Sequence, residues 1–178
     1  KDAGITIEAE GKNTTNEVTG DKETAAGDAV SSSDTKVENL VISAAKALTN
    51  IAKQLETSNT DKIAESITGK HIIKVETTAQ ITAKALTDSS FKLAITPTYT
   101  VTATADTGSG GSGNDVVLAS GVTLPNSAIT TPVTISVKLP SGFPTRNLFA
   151  RHYLTGGGTE ILPVSVSGDV ATWTQSSF

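Results

Sequence analysis

The chain has 178 residues and a formal net charge of −4, and only 37% of its residues are apolar and 4% aromatic. Its length suits one domain with a core of its own, whereas an acidic balance without a Lys/Arg cluster excludes a typical nucleic-acid binder. Cysteine is absent, which excludes disulfides and thiol catalysis, and no apolar run approaches the roughly 20 residues that cross a bilayer, so we expect no membrane insertion.

The N-terminal residues 1–34 predict one short strand followed by a long loop. Apolar and polar residues alternate over residues 5–9, which is typical of a strand. Residues 11–33 are polar, lack periodicity and contain several Gly, Asn, Asp and Ser. We interpret this second stretch as a loop.

An amphipathic helix is predicted over about 36–56. Thr35 and Glu38 match a capping box, so we expect the helix to begin at this pair. A second short helix is predicted at about 61–68, with Gly69 as its C-terminal stop. Apolar residues at spacings of three and four define the face of the first helix: Val37, Leu40, Val41, Ala44, Leu48, Ile51, Ala52 and Leu55.

After Gly69 the apolar residues recur at every second position, which predicts two strands over 71–85 and 91–105. Both runs exceed the ordinary length of a strand, so we expect a bend or a bulge. Pro97 lies inside the second run, where the ladder must lose one hydrogen-bond donor. We expect the helix at 36–56 to cover the sheet that contains these two strands.

The rest of the chain predicts a series of short strands separated by turns, which is typical of an antiparallel β-sandwich. The fold class is therefore α+β and mainly β, with the sandwich built from roughly 112–178 following the helix-covered sheet. We divide the chain into an N-terminal segment, 1–70, and a β-sandwich, 71–178, which together form one module. The short strands are expected near residues 116–119, 133–139, 148–154, 160–165 and 170–175.

The C-terminal residues form a recurring layout of strands and turns over Val133–Pro140, Gly142-Phe143, Phe149–Tyr153, Gly158–Val164, Gly168 and Trp173–Phe178. They are similar to the end of β-sandwich modules that occur as tandem repeats in cell-surface proteins of Gram-positive bacteria. The resemblance implies an Ig-like sandwich, an extracellular location that is either cell-wall-attached or secreted, and neighbouring modules of the same polypeptide as partners. It carries over no functional residues.

The loop before residue 116 contains a weak calcium candidate. Gly110–Leu118 fits one copy of the calcium-binding pattern G-G-x-G-x-D-x-U-x, in which Asp115 would bind the cation with help from Asp106. A single copy cannot stack into the usual repeat, and two carboxylates fall short of the six to eight oxygens that calcium takes. We therefore expect a flexible, metal-free loop, and we expect that deleting Gly108–Gly113 changes stability by less than about 1 kcal/mol.

Candidates for catalysis are few. His71 and His152 are the only histidines, and neither has a partner at a metal-ligand spacing in the sequence. No sequence frame positions a Ser nucleophile. We predict that this protein is not an enzyme and needs no cofactor.

Trp173, Tyr99 and Tyr153 are the candidates for a sugar-stacking platform. Tyr99 alternates with apolar residues, and Trp173 lies on the last predicted strand, so we expect all three to pack in the core. The sequence thus predicts a non-catalytic spacer or display module of a bacterial surface protein. The alternative is an adhesive module that binds carbohydrate or a host protein.

Overall fold

The computed structural model describes residues 7–8, 35–87 and 89–178. The loop predicted at 11–33 lies outside these residues. The described chain is mainly β, with several antiparallel sheets and two helices. The helices are α1 (Leu40–Ser58) and α2 (Thr60–Ser66). The strands are β1 (Ile7–Glu8), β2 (Thr35–Glu38), β3 (Ile67–Thr68), β4 (His71–Thr87), β5 (Ser90–Ala105), β6 (Ser112–Gly113), β7 (Val116–Thr123), β8 (Val133–Lys138), β9 (Phe149–Tyr153), β10 (Thr159–Pro163), β11 (Ser165–Ser167) and β12 (Val170–Gln175).

The strands form two four-stranded sheets and two small two-stranded sheets. Sheet A has the order β1-β4-β5-β7, and sheet B has the order β11-β12-β8-β2. The small sheets are the β9–β10 hairpin and the β3–β6 pair. Every pairing is antiparallel except that of β1, which runs parallel to β4.

Helix α1 and both four-stranded sheets share one hydrophobic core. The buried face of α1 contacts β4, β5 and β7 of sheet A, which confirms that the helix packs on a sheet. Residues of β2 and β8 in sheet B belong to the same cluster. The buried members from α1 are Leu40, Ala44, Leu48 and Ala52, and those from sheet B are Val37, Val133 and Ile135.

The predicted capping box at Thr35 and Glu38 is wrong. These residues form β2, which pairs with β8, and α1 begins only at Leu40 after Asn39 in a left-handed conformation with φ 67°. Thr35 and Val37 are buried whereas Lys36 and Glu38 are exposed, so the segment has the two-residue period of a strand. The helix therefore begins four residues later than predicted, because this segment pairs with β8 as a strand.

The second helix also ends earlier than predicted. It ends at Ser66, and Ile67 and Thr68 form β3 instead of the last helical turn. Gly69, with φ 85°, follows the strand rather than the helix.

The long hairpin of β4 and β5 has the predicted irregularity, since its register shifts between Ala85 and Thr87. Pro97 lies opposite Ala79, and its carbonyl accepts a hydrogen bond of 2.8 Å from the Leu124 N–H. In an antiparallel strand the N–H and C=O of one residue point to the same side. The nitrogen of Pro97 therefore faces away from β4, and the ladder between β4 and β5 loses no donor.

The strands after residue 112 do not form a sandwich by themselves. β7 joins sheet A beside β5, and β2, which precedes the helix, completes sheet B beside β8. The predicted division at residue 70 is therefore not a boundary between sheets.

The loop before residue 116, which we expect to be flexible, contains a short strand and backbone hydrogen bonds. Residues 112 and 113 form β6 and pair with β3. Around them, the Asp106 N–H donates to the Lys70 carbonyl at 2.9 Å, and the Asn114 N–H donates to the Ser66 carbonyl at 3.1 Å. The glycines allow this contact, because the loop backbone approaches the segment 66–70 more closely than any side chain would permit. Deleting Gly108–Gly113 should therefore cost more than the loop-closure estimate.

Gly111 gives a sharp test of this close approach. A Cβ at Gly111 would lie 2.0 Å from the Lys70 carbonyl oxygen and 2.8 Å from the Asp106 nitrogen. We expect Gly111→Ala to lower the free energy of unfolding by about 2 kcal/mol, as overpacking typically does, measured by urea denaturation.

Gly156→Ala is the matched control, because nothing lies within 4 Å of a Cβ at that position. We expect it to change stability by no more than about 0.5 kcal/mol. Equal stability of the two variants would contradict the close approach.

Candidate functional site

The two carboxylates of the calcium candidate, Asp106 and Asp115, lie on either side of β6 in the sequence. Asp106 precedes a single 3-10 turn, Thr107–Ser109, and its carbonyl oxygen accepts hydrogen bonds from the N–H groups of Ser109 and Gly111. Asp115 is exposed just before β7. Across residues 7–8, 35–87 and 89–178, no group of three or more His, Asp or Glu could hold a metal ion.

His71 forms a contact between the helix and the long hairpin. Its Nε2 lies 2.7 Å from Oε1 of Glu56, and both side chains are mostly buried. Glu56 is in the last turn of α1, and His71 is the first residue of β4. The pair therefore joins the end of the helix to the start of sheet A.

His152 also has a carboxylate partner. Its Nδ1 lies 2.8 Å from Oε1 of Glu160, which is directly opposite on β10. The side chain of His152 is 10% exposed, and its Nε2 has no hydrogen-bond partner among the described residues. The pair joins the two strands of the β9–β10 hairpin.

Neither carboxylate partner was found from the sequence. The pairing of Glu160 with His152 follows from the register of a hairpin that turns around Gly156–Gly158. The sequence therefore contains a signal for this pair. The Glu56 pairing depends on how α1 packs on β4, which no sequence spacing encodes. Each pair holds one His and one Glu, and each spans two elements of the fold.

The three aromatic candidates lie in different surroundings. Tyr99 and Trp173 are partly buried against the hydrophobic core, as predicted. Tyr153 is 62% exposed on β9, so the prediction of core packing is wrong for it. The three residues do not form one platform.

One face of the β9–β10 hairpin, which we call the hairpin face, carries several exposed apolar side chains. Residues directly opposite each other in an antiparallel pair lie on the same side. Phe149 is 59% exposed and Ile161 is 57% exposed. The hairpin face comprises the three cross-strand pairs Phe149–Pro163, Arg151–Ile161 and Tyr153–Thr159, all of them exposed.

The opposite face of the hairpin is turned toward the protein. Ala150, His152 and Leu162 on this face are half-buried, and β10 contacts β12 of sheet B. The hairpin therefore packs on the body with one face and presents the other to solvent. Lys92 of β5 lies at its margin, with Nζ 5.8 Å from the centre of the Tyr153 ring, within the range of a cation–π contact.

Asn126 ties the turn of this hairpin to the C-terminal segment. Its Nδ2 donates to Oγ1 of Thr155 at 2.8 Å and to the Phe178 carbonyl at 2.9 Å, and its Oδ1 accepts from the Phe178 N–H at 2.9 Å. The amide thus bonds both backbone groups of Phe178. This arrangement fixes the turn after β9 relative to the core, because the Phe178 side chain packs there.

Comparison with known proteins found no match to a family model, to a curated protein or to a solved structure. The resemblance of the C-terminal strands to Gram-positive surface modules therefore stays a proposal. In the part of the chain that the structure describes, neither helix has the length and apolarity needed to cross a membrane.

The calcium candidate can be tested by titration calorimetry. We expect no heat of binding at micromolar calcium, because Asp106 and Asp115 supply two carboxylates where calcium takes six to eight oxygens. Micromolar binding that is lost in Asp115→Ala and retained in Asp169→Ala would contradict this expectation.

The role of Asn126 can be tested by stability. We expect Asn126→Ala to lower the free energy of unfolding by about 2 kcal/mol, because it leaves the partly buried N–H of Phe178 unpaired. Asn50→Ala, an exposed position on α1, is the control and should change stability by less than about 0.5 kcal/mol. Chemical denaturation of both variants measures the difference, and an equal effect would show that the Asn126 contacts do not matter.

Proposed function

We propose that this protein is a non-catalytic structural module, either a spacer or a display unit, of an extracellular bacterial surface protein. The observation that carries this proposal is the division of the described chain into two parts. One part is a body in which α1 and both four-stranded sheets share a core. The other is a hairpin that rests on this body and exposes its apolar face.

In this proposal the body is a β-sandwich of the Ig-like type. Support comes from the core clusters, which contain residues of both four-stranded sheets. In the second cluster, Phe91 and Leu93 of sheet A pack around Val137 and Ala171 of sheet B. Apolar residues from two sheets that meet in one core are typical of sandwiches.

The non-catalytic role is supported by what the polar side chains contact. Each histidine bonds a carboxylate across two elements, and the amide of Asn126 bonds backbone groups. Nucleophilic catalysis would require, in addition to a His base and its carboxylate, a nucleophile within hydrogen-bond reach of the His. The contacts of these polar groups join segments of the fold, as expected of a structural unit.

The extracellular location is supported by composition and by the C-terminal resemblance. Threonine and serine make up about a quarter of the chain, and cysteine is absent. Thr suits strands that are half solvated, because its β-branch stiffens the side chain while its hydroxyl meets water. Neighbouring modules of the same polypeptide are the partners that this role implies.

The hairpin face favours a second candidate function, an adhesive module that binds carbohydrate or a host protein. Phe149 and Tyr153 lie two residues apart on β9 and are both mostly exposed. Exposed apolar patches often mark binding sites. A spacer alone does not require this feature.

A binding screen separates the two functions. A glycan array and a panel of immobilised extracellular-matrix proteins, probed with the purified protein, should show no binding if the module is only structural. Binding that is lost in the double variant Phe149→Ser/Tyr153→Ser, yet retained in Ile42→Ser on α1, would replace the structural proposal with the adhesive one. Ile42 is 72% exposed and far from β9 in the sequence.

The same double variant tests whether the hairpin face supports the fold. Because both side chains are exposed, we expect the free energy of unfolding to change by no more than about 0.5 kcal/mol. Thermal and urea unfolding measure it. A loss well above that value would mean that the face contributes to the fold and is not free for display.

A further inference from the structure

The outer edge of β9 carries backbone groups that have no partner in the described part of the chain. The Leu154 N–H donates to the Gly158 carbonyl at 3.2 Å, which fixes the alternation of the β9–β10 ladder. Hydrogen-bonded and non-hydrogen-bonded pairs alternate along an antiparallel ladder. The pair next to Leu154 and Gly158, Tyr153 with Thr159, is therefore of the second kind.

The same alternation applies along the whole strand. Phe149, Arg151 and Tyr153 occupy non-hydrogen-bonded pairs, so their N–H and C=O groups point away from β10. Pro163, which has no N–H, lies opposite Phe149 and agrees with this assignment. Among the described residues β9 pairs with β10 alone, and no backbone hydrogen bond reaches the outward groups of these three residues.

β10 differs from β9 because it contacts sheet B. β10 contacts β12 and runs through Val164 into β11, which already pairs with β12. β9 is thus the strand of this hairpin whose edge faces away from sheet B. It is five residues long, enough to hydrogen-bond an added strand.

The three residues with outward backbone groups also supply side chains to the hairpin face. Phe149 and Tyr153 are the exposed aromatic residues, and Arg151 lies exposed between them. Lys92 adds a second positive charge beside Tyr153. The carboxylate of the hairpin, Glu160, bonds His152 in the pair that lies off this face.

These charges argue against a second copy of the chain as the partner. Two β9 strands paired antiparallel about Arg151 would place the two guanidinium groups directly opposite each other. Like charges in directly opposite positions are destabilising, and inward or central charges on an edge are a known means of preventing self-pairing. A carboxylate at the opposing position would be stabilising instead.

We propose that β9 binds an extended segment of another protein by strand addition. The segment adds to the outer edge of β9 through the backbone groups of Phe149, Arg151 and Tyr153. It carries a carboxylate opposite Arg151 and apolar side chains opposite Phe149 and Tyr153. Main-chain hydrogen bonds supply the affinity in this mode, and alternate side chains supply the specificity. The inference goes beyond the structural role proposed above and does not depend on it.

The test uses the peptide acetyl-Thr-Val-Thr-Glu-Thr-Val-Thr-amide, which places Val, Glu and Val on one face. Titrated into the ¹⁵N-labelled protein, it should shift the amide resonances of Phe149, Arg151 and Tyr153 most, with Kd on the order of 1 mM or tighter. The same peptide with Lys in place of Glu should bind about fivefold more weakly.

Variants at Arg151 separate charge from strand addition. Arg151→Glu should reverse the preference, so that the Lys peptide binds better than the Glu peptide. Arg146→Glu, an exposed change of equal charge in the loop before β9, should leave the preference unchanged. Arg151→Pro should bind at least about threefold more weakly than Arg151→Ala, because only proline removes the outward N–H, and proline is tolerated on an edge strand.

Three results would overturn the inference. The first is the absence of shifts at about 5 mM peptide, well above the expected Kd. The second is equal binding of the Glu and Lys peptides. The third is equal binding by correctly folded Arg151→Pro and Arg151→Ala. Each of these results leaves the structural role to be decided by its own binding screen.

Discussion

The contact on which the rest of the structure depends is the packing of the α1 stripe on sheet A, in a core that also contains residues of β2 and β8 from sheet B. Ala44 and Ala52 have no exposed surface, and Leu40 and Leu48 are almost fully buried beside them. Alternating small and large side chains let the helix lie close to β4 and β5 while still filling the space between them. Ser43 is buried on the same helix, and its carbonyl accepts hydrogen bonds from both the N–H and the hydroxyl of Thr130. The helix thereby fixes the segment that leads into β8, and β8 is central to sheet B.

Periodicities that extend over many residues predicted their elements correctly. Short segments whose structure depends on pairing with a distant strand were not predicted. The long alternation of β4 and β5 and the stripe of α1 each span enough residues to reveal their period. The four residues of β2 are too few, and their Thr and Glu match a helix start equally well. Pairing of β3 with β6 was invisible, because glycine has no side chain that could indicate a close neighbour. As a result, the backbone hydrogen bonds between the loop 106–114 and the segment 66–70 were not predicted.

The candidate site shows the same limit of prediction from sequence. Alternation along β9 places Phe149 and Tyr153 on one side of the strand, but it does not say which side of a two-stranded hairpin faces the protein. Both sides carry apolar residues, since Ala150 and Leu162 lie opposite each other on the half-buried side. Only the packing of β10 near β12 determines which side of the hairpin is buried. The larger, aromatic side is the exposed one, and that is why Tyr153 differs from Tyr99 and Trp173.

The position of β2 in sheet B has a consequence for how the chain reaches its native state. Thr35 pairs with Val137, so β2 must wait for a strand made about 100 residues later. In contrast, α1, β4 and β5 lie close to one another in the sequence and can assemble from local contacts. Pairing over such a large separation raises the contact order and slows folding, because the loop must close before the contact forms. During synthesis, sheet A and the helix can therefore meet first, with β2 left as an unpaired segment until the ribosome has released β8 to join it.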